Sequence, residues 1–136
     1  MRVFVDTNVV LDFLLEQPNA QDSLAVVKLC AEDNDIEGGF AALSMPTLAY
    51  FLRKKHSPEE VRTILKTVKS MFYIVFLNEN NMESALNDSS FKDFEDCLQY
   101  ECAKNFDSDY IVTNNIKDFS FSSIQAIKPL DFVNKT

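Results

Sequence analysis

Apolar residues in this chain fall into short runs that stop abruptly on polar ones, separated by longer stretches with helical spacing. Arg2-Val3-Phe4-Val5 halts at Asp6, Phe40 to Leu43 halts at Ser44, and Tyr110-Ile111-Val112-Thr113 halts at Asn114; Tyr73 to Leu77 and Ala126-Ile127 are further runs. Such runs predict strands buried on both faces. Between them, Thr7 to Leu15 predicts a helix capped by Asp6 or Thr7 and broken at Pro18-Asn19. Ala20 to Glu32 predicts a second helix, and Gly38-Gly39, the only glycines, close that region ahead of the Phe40 strand. Ser44 is placed to cap a helix with Pro46 in its first turn, where a missing N–H costs nothing. Ser57-Pro58-Glu59-Glu60 opens another helix, whose apolar face is Val61, Ile64, Leu65, Val68 and Phe72. A helix around Asn81 to Asn87 follows. Asp93 then leads one to about Asn105, with Phe94, Cys97, Leu98 and Cys102 expected inward, and Pro129 begins a final helical turn.

Written as βααβααβαβ with short connections, the pattern implies an α/β fold: a three-layer α/β/α sandwich around a mostly parallel sheet. At 136 residues and 46% hydrophobic, residues 1–136 suit a single domain with a sizeable core. No apolar run approaches the ~18 residues of a membrane span, and the start lacks a secretory signal, so a cytoplasmic protein without membrane attachment is expected. Cys30, Cys97 and Cys102 have no paired spacing and read as reduced, buried thiols. The lone histidine, His56, argues against a catalytic zinc site.

In open α/β sheets, sites lie beyond the carboxyl ends of the strands. Asp6 holds such a position, and Asn114, Asn115 and Asp118 follow the Tyr110 run. Asp93 and Asp96 lie three apart at a helix start, with Glu95 about a quarter-turn away. Asp93 reads first as a helix cap, whereas Asp96 sits deeper, beside the apolar face, where a charge is costly unless paired or holding a metal. Asp6, Asp96 and Asp118 could together supply the hard oxygen ligands that Mg²⁺ takes, with substrate phosphates completing its shell. Such an ion makes hydroxide available near neutral pH and needs no side-chain nucleophile. The net charge of −8, from 21 acidic and 13 basic residues, speaks against a module that grips duplexes through a basic patch, but suits a cation-dependent enzyme. Basic residues gather at Arg53, Lys54, Lys55 and His56, then at Arg62, Lys66 and Lys69. The last three read as a solvated helix face, and Arg53 to Lys55 read equally as that or as a phosphate contact.

Val5-Asp6-Thr7-Asn8, Phe94-Glu95-Asp96-Cys97-Leu98-Gln99, and Tyr110 to Asn115 followed by Lys117-Asp118-Phe119 together resemble the PIN domain, in order and spacing over nearly the whole chain. The resemblance implies an α/β/α sandwich and a Mg²⁺- or Mn²⁺-dependent ribonuclease. Single-domain versions of this size are commonly VapC-like toxins, usually homodimeric and inhibited by an antitoxin. Carried over, the pattern gives Asp6 and Asp96 as principal metal ligands, Asp118 and Asn115 as secondary ones, and Asn8 as a support for Asp6. Thr7, Ser44, Thr47, Asp93, Glu95 and Thr113 complete the set, with Ser44 and Thr47 contacting RNA or ordering the site. Two family acids are replaced: Tyr50 stands at one position and Asn115 at another. An alternative implied by those neutral residues is a weak or inactive PIN-like module that binds RNA or a protein partner. A haloacid dehalogenase-type phosphatase requires a second aspartate where this chain has Asn8, and a receiver domain requires an N-terminal acidic pair that is missing. The dimer is expected through the helix faces around Leu48 to Leu52 and Val61 to Val68.

Overall fold

A computed structural model describes residues 1–136. Its centre is a five-stranded parallel sheet, β1 (Arg2–Val5), β2 (Glu37–Ala41), β3 (Tyr73–Val75), β4 (Tyr110–Val112) and β5 (Gln125–Ile127). The strand order is β3-β2-β1-β4-β5, so the chain winds outward from β1 in one direction and then returns to build β4 and β5 on its other side. The reversal falls between β1 and β4, whose register pairs Val5 with Val112. A crevice at such a switch point is where open α/β sheets hold ligands.

Successive side chains of each strand point to opposite faces. Val3, Val5, Phe40 and Val112 pack on one side, against residues of α1 (Thr7–Leu14), α2 (Ala20–Glu32), α3 (Met45–Leu52), α4 (Pro58–Met71) and α7 (Pro129–Lys135). Phe4, Ala41, Val75 and Ile111 pack on the other, against α5 (Glu79–Asn87) and α6 (Phe94–Asn105). The α/β/α sandwich expected from the alternation of runs is therefore present. Two helices, α5 and α6, separate β3 from β4, where the stretches around Asn81 to Asn87 and Asp93 to Asn105 predict them. No helix is long and apolar enough to cross a membrane.

Helix starts follow local chemistry. Asp6 caps α1, its carboxylate accepting the Thr7 N–H, and Ser57 and Glu60 form a reciprocal capping box on α4. Three expectations are corrected. Gly38 and Gly39 lie inside β2 rather than ahead of it. A Cβ on Gly38 would stand 2.5 Å from Cys30 Sγ, and one on Gly39 would stand 2.7 Å from the Phe106 ring, so both layers press on bare backbone there. Phe94, expected inward, begins α6 on its solvent side and is 44% exposed. Finally, Leu48, Leu52, Val61 and Val68, at the ends of the two helix stretches expected to join subunits, are buried in the core between α3, α4 and the sheet, whereas Ala49, Phe51, Ile64 and Leu65 between them are partly exposed and Tyr50 is half-exposed. All three cysteines are free thiols, with Cys97 and Cys102 buried and Cys30 half-buried; burial pushes Cys30 and Cys102 up to about 12.

Candidate functional site

Asp6 is the first residue beyond β1, and parallel pairing holds it beside Thr113, the first beyond β4. Its buried carboxylate is fixed by three donors: the Thr7 N–H at 2.8 Å on one oxygen, and Asn8 Nδ2 at 3.1 Å and the Thr113 hydroxyl at 2.8 Å on the other. No lysine or arginine pairs with it. Burial therefore outweighs the hydrogen bonds from Thr113 and Thr7, and with help from the charges of Glu95 and Asp118 raises Asp6 to about 6.

Asp96 lies in the first turn of α6, where Asp93 caps the helix by accepting the Asp96 N–H at 3.0 Å. The Asp96 carboxylate forms neither an ion pair nor a side-chain hydrogen bond, although Lys92 and Lys117 line the same cavity. Partial burial, then the negative charges of Asp93, Asp118, Asp6 and Glu95, raise it to about 7. Asp118 is exposed in the 3-10 turn Ile116–Phe119, and Asn115, just before it, donates its N–H to Thr113 Oγ1 at 3.1 Å. Asp6, Asp96, Asp118, Asp93 and Glu95 thus share one electrostatic neighbourhood at the switch point.

Sequence reading singled out Ser44 as a cap, but its side chain caps nothing. Its buried hydroxyl instead sits 2.6 Å from that of Thr7 and accepts from Gln99 Nε2 at 2.8 Å, tying α1, α3 and α6 together behind Asp6. Gln99 was missed as a site residue. The available signal was an amide at i+3 from Asp96 inside a run of buried helix positions, Cys97 to Ala103, where an uncharged polar group needs a reason. Its Oε1 is buried without a partner. Asn114 was noted only by position; its N–H reaches Asn8 Oδ1 at 3.4 Å and its amide donates to Asp12 at 2.6 Å, bracing the loop after β4. Thr47 is half-buried on α3 and shares no hydrogen bond with the Asp6 group. Tyr50 is half-exposed, its ring lying 4.3 Å beneath the Arg53 guanidinium.

No three acidic, imidazole or thiol side chains are gathered tightly enough to cage a metal ion by themselves. The donor chemistry nevertheless fits a hard divalent cation, because Mg²⁺ needs only one or two carboxylates and fills its remaining positions with water and phosphate. Asp6 is oriented by neutral donors and Asp96 is uncompensated, which leaves a charge deficit that such an ion relieves.

A family model described as PIN domain matches residues 2–117. Ribonuclease VapC1 of Aquifex aeolicus (strain VF5) is 27% identical over 140 residues, which span 98% of this chain and 94% of that protein. Among solved structures, VapBC-1 from nontypeable Haemophilus influenzae matches with a TM-score of 0.71 at 12% identity, covering 95% of this chain and 98% of that one. VapBC2 from Rickettsia felis, bound to a DNA fragment from their promoter, matches with a TM-score of 0.69 at 17% identity, covering 94% and 98%. With the model spanning most of its length and the fold shared with these structures, the chain belongs to the PIN domain family.

Proposed function

We propose that the chain is an endoribonuclease that hydrolyses RNA phosphodiester bonds with Mg²⁺ or Mn²⁺ held by Asp6 and Asp96, and with Asp118 and Asn115 in supporting positions. The observation that carries this reading is the buried Asp6 carboxylate, fixed by Thr7, Asn8 and Thr113 and left without any cation of the chain's own. The match to a ribonuclease over nearly the full length supports it. Bound there, the metal supplies Lewis-acid polarisation of the phosphodiester and neutralises charge that builds on its oxygens. The chain's own residues orient and hold. Thr113 and Asn8 fix one oxygen of Asp6, the helix cap fixes the other, and Asp93 sets the start of α6 from which Asp96 projects.

The resemblance to VapBC assemblies supports a toxin whose partner is a separate antitoxin protein, and a homodimer is the assembly the family implies. Reduced cysteines suit a cytosolic setting. A second reading, an RNA- or protein-binding module with little activity, draws on the absence of a tight acidic cage and on the neutral Tyr50 and Asn115.

The two readings separate in one experiment. Single-stranded and structured RNA are offered to wild type, Asp6→Asn and Asp96→Asn with Mn²⁺ and with EDTA, beside a Mn²⁺ titration. Cleavage only by wild type and only with metal supports the enzyme. Equal cutting by all three proteins removes it, and RNA binding with neither cleavage nor Mn²⁺ uptake favours the module.

A further inference from the structure

The first two residues beyond β4 are tied by three bonds to the start of α1. The Thr113 hydroxyl reaches Asp6 at 2.8 Å, the Asn114 N–H reaches Asn8 Oδ1 at 3.4 Å, and the Asn114 amide donates to Asp12 Oδ2 at 2.6 Å. Asn8 and Asp12 stand four residues apart on α1, so they neighbour each other on one face and grip the same asparagine by its backbone and its side chain. The Asp12 bond is the shortest of the three, as a bond to an ionised acceptor tends to be. Asp12 forms no ion pair, and Asn114 is the one side chain bonded to its carboxylate. It is also not among the charges that raise Asp6 or Asp96. Whatever it does for the site passes through Asn114.

Asn114 leads to the site in two directions. Asn8, whose carbonyl oxygen its N–H meets, turns its own Nδ2 to Asp6 Oδ2 at 3.1 Å. Forward along the chain, Asn115 and the Ile116–Phe119 turn that carries Asp118 follow at once. Without its side-chain anchor, Asn114 would hold Asn8 by the 3.4 Å bond alone. We propose that Asp12 is a positioning residue for the metal site, acting through Asn114 to keep Asn8 on Asp6 and to fix the loop that presents Asn115 and Asp118. The proposal rests on the ribonuclease reading above and extends its machinery to a carboxylate on the second turn of α1.

The test reads metal binding apart from cutting. Mn²⁺ is titrated through its effect on water proton relaxation, well below the melting transition, and Mn²⁺-dependent cleavage of RNA is followed in parallel. Asp12→Ala should weaken Mn²⁺ binding about tenfold, the lower end of what losing a partner behind a metal ligand costs. Asn114→Ala should weaken it equally and the double variant no further, because each removes the same bond. Asp12→Asn keeps an acceptor for the Asn114 amide and should recover most of the affinity. Asp131→Ala, which deletes the same charge from an exposed position on α7, should bind Mn²⁺ as wild type does. If wild type cuts RNA while Asp12→Ala binds Mn²⁺ and cuts equally well, the positioning role is wrong and the ribonuclease reading stands. Losses that add in the double variant, or an Asp12→Asn as weak as Asp12→Ala, likewise overturn the role, since the carboxylate then acts by charge and not through Asn114. Asp12-dependent Mn²⁺ binding without any cleavage keeps the role and removes the enzyme; failure of wild type both to bind Mn²⁺ and to cut overturns both.

Discussion

The Thr113 hydroxyl donates to Asp6 Oδ2 at 2.8 Å, joining the ends of β1 and β4 at the point where the strand order reverses. Thr113 Oγ1 in turn accepts the Asn115 N–H at 3.1 Å, so one buried hydroxyl orients both the carboxylate and the loop that carries Asp118. Thr113→Val keeps the shape and removes both bonds. A hydrogen bond to a charged group contributes about 1.5–3 kcal/mol, and the variant should lose stability of that order in urea denaturation. Metal-dependent RNA cleavage should fall with it, and Thr113→Ser should recover most of both. Full activity in Thr113→Val would show that the bond orders nothing the reaction needs.

Most of the frame was legible because its signals are local. Pro18-Asn19 breaks one helix, Ser57-Pro58 starts another, and the runs ending at Asp6 and Thr113 mark the sheet's carboxyl edge. Gly38 and Gly39 misled because glycine disfavours strands in general, whereas here Cys30 and Phe106 crowd the backbone from opposite sides. Ser44 misled for another reason. Its position invites a cap, but its partners are Thr7 and Gln99, 37 and 55 residues away, and no local pattern encodes that meeting. Asp12 and Asn114, 102 residues apart, likewise meet only when the loop after β4 lies against α1.

The Thr7–Ser44–Gln99 contact makes a contrast between two substitutions. Ser44→Ala leaves the buried Gln99 amide without its acceptor, adding an unpaired donor to an Oε1 that already lacks a partner. A stranded buried group costs about 1–3 kcal/mol. Gln99→Leu removes both amide atoms at similar volume and should be nearly neutral. Combining the two should recover much of the loss in Ser44→Ala, read as a non-additive cycle in urea melts. Strict additivity would mean that the hydroxyl and the amide do not depend on one another.

Crowding at β2 ranks two alanine substitutions. At Gly38 the added methyl meets Sγ and Cβ of Cys30 at 2.5 and 2.7 Å, atoms close to the α2 backbone that cannot swing aside. At Gly39 it meets the Phe106 ring, which follows the last turn of α6 and is half-buried. Overpacking costs about 1–3 kcal/mol, and Gly38→Ala should sit at the upper end, with Gly39→Ala milder because the ring is half-buried and Arg2 covers it only from the exposed side. Thermal melts of the two proteins give the order directly, and the reverse order would show that Phe106 is the firmer wall.

Burial raises Asp6 to about 6 and Asp96 to about 7 from an ordinary value of 3.8, helped by the charges of Glu95 and Asp118 at both and of Asp93 and Asp6 at Asp96. Between about pH 4 and 7 the native state therefore holds protons that the unfolded chain has released, and stability falls as pH rises through that window. Glu60 and Asp88 act in the opposite sense, since Ser57 and Ser90 hold them below the usual carboxylate range, but their effect belongs to more acid solution. In EDTA the melting temperature should drop from pH 5 to pH 8, and Asp96→Asn should melt above wild type at pH 8 by removing one of the clustered charges. Mn²⁺ should raise the melting temperature of wild type strongly at pH 8 and weakly at pH 5, where protons already occupy the carboxylates it needs. A pH-independent melting temperature in EDTA, or a Mn²⁺ effect equal at both pH values, would place the ion somewhere other than Asp6 and Asp96.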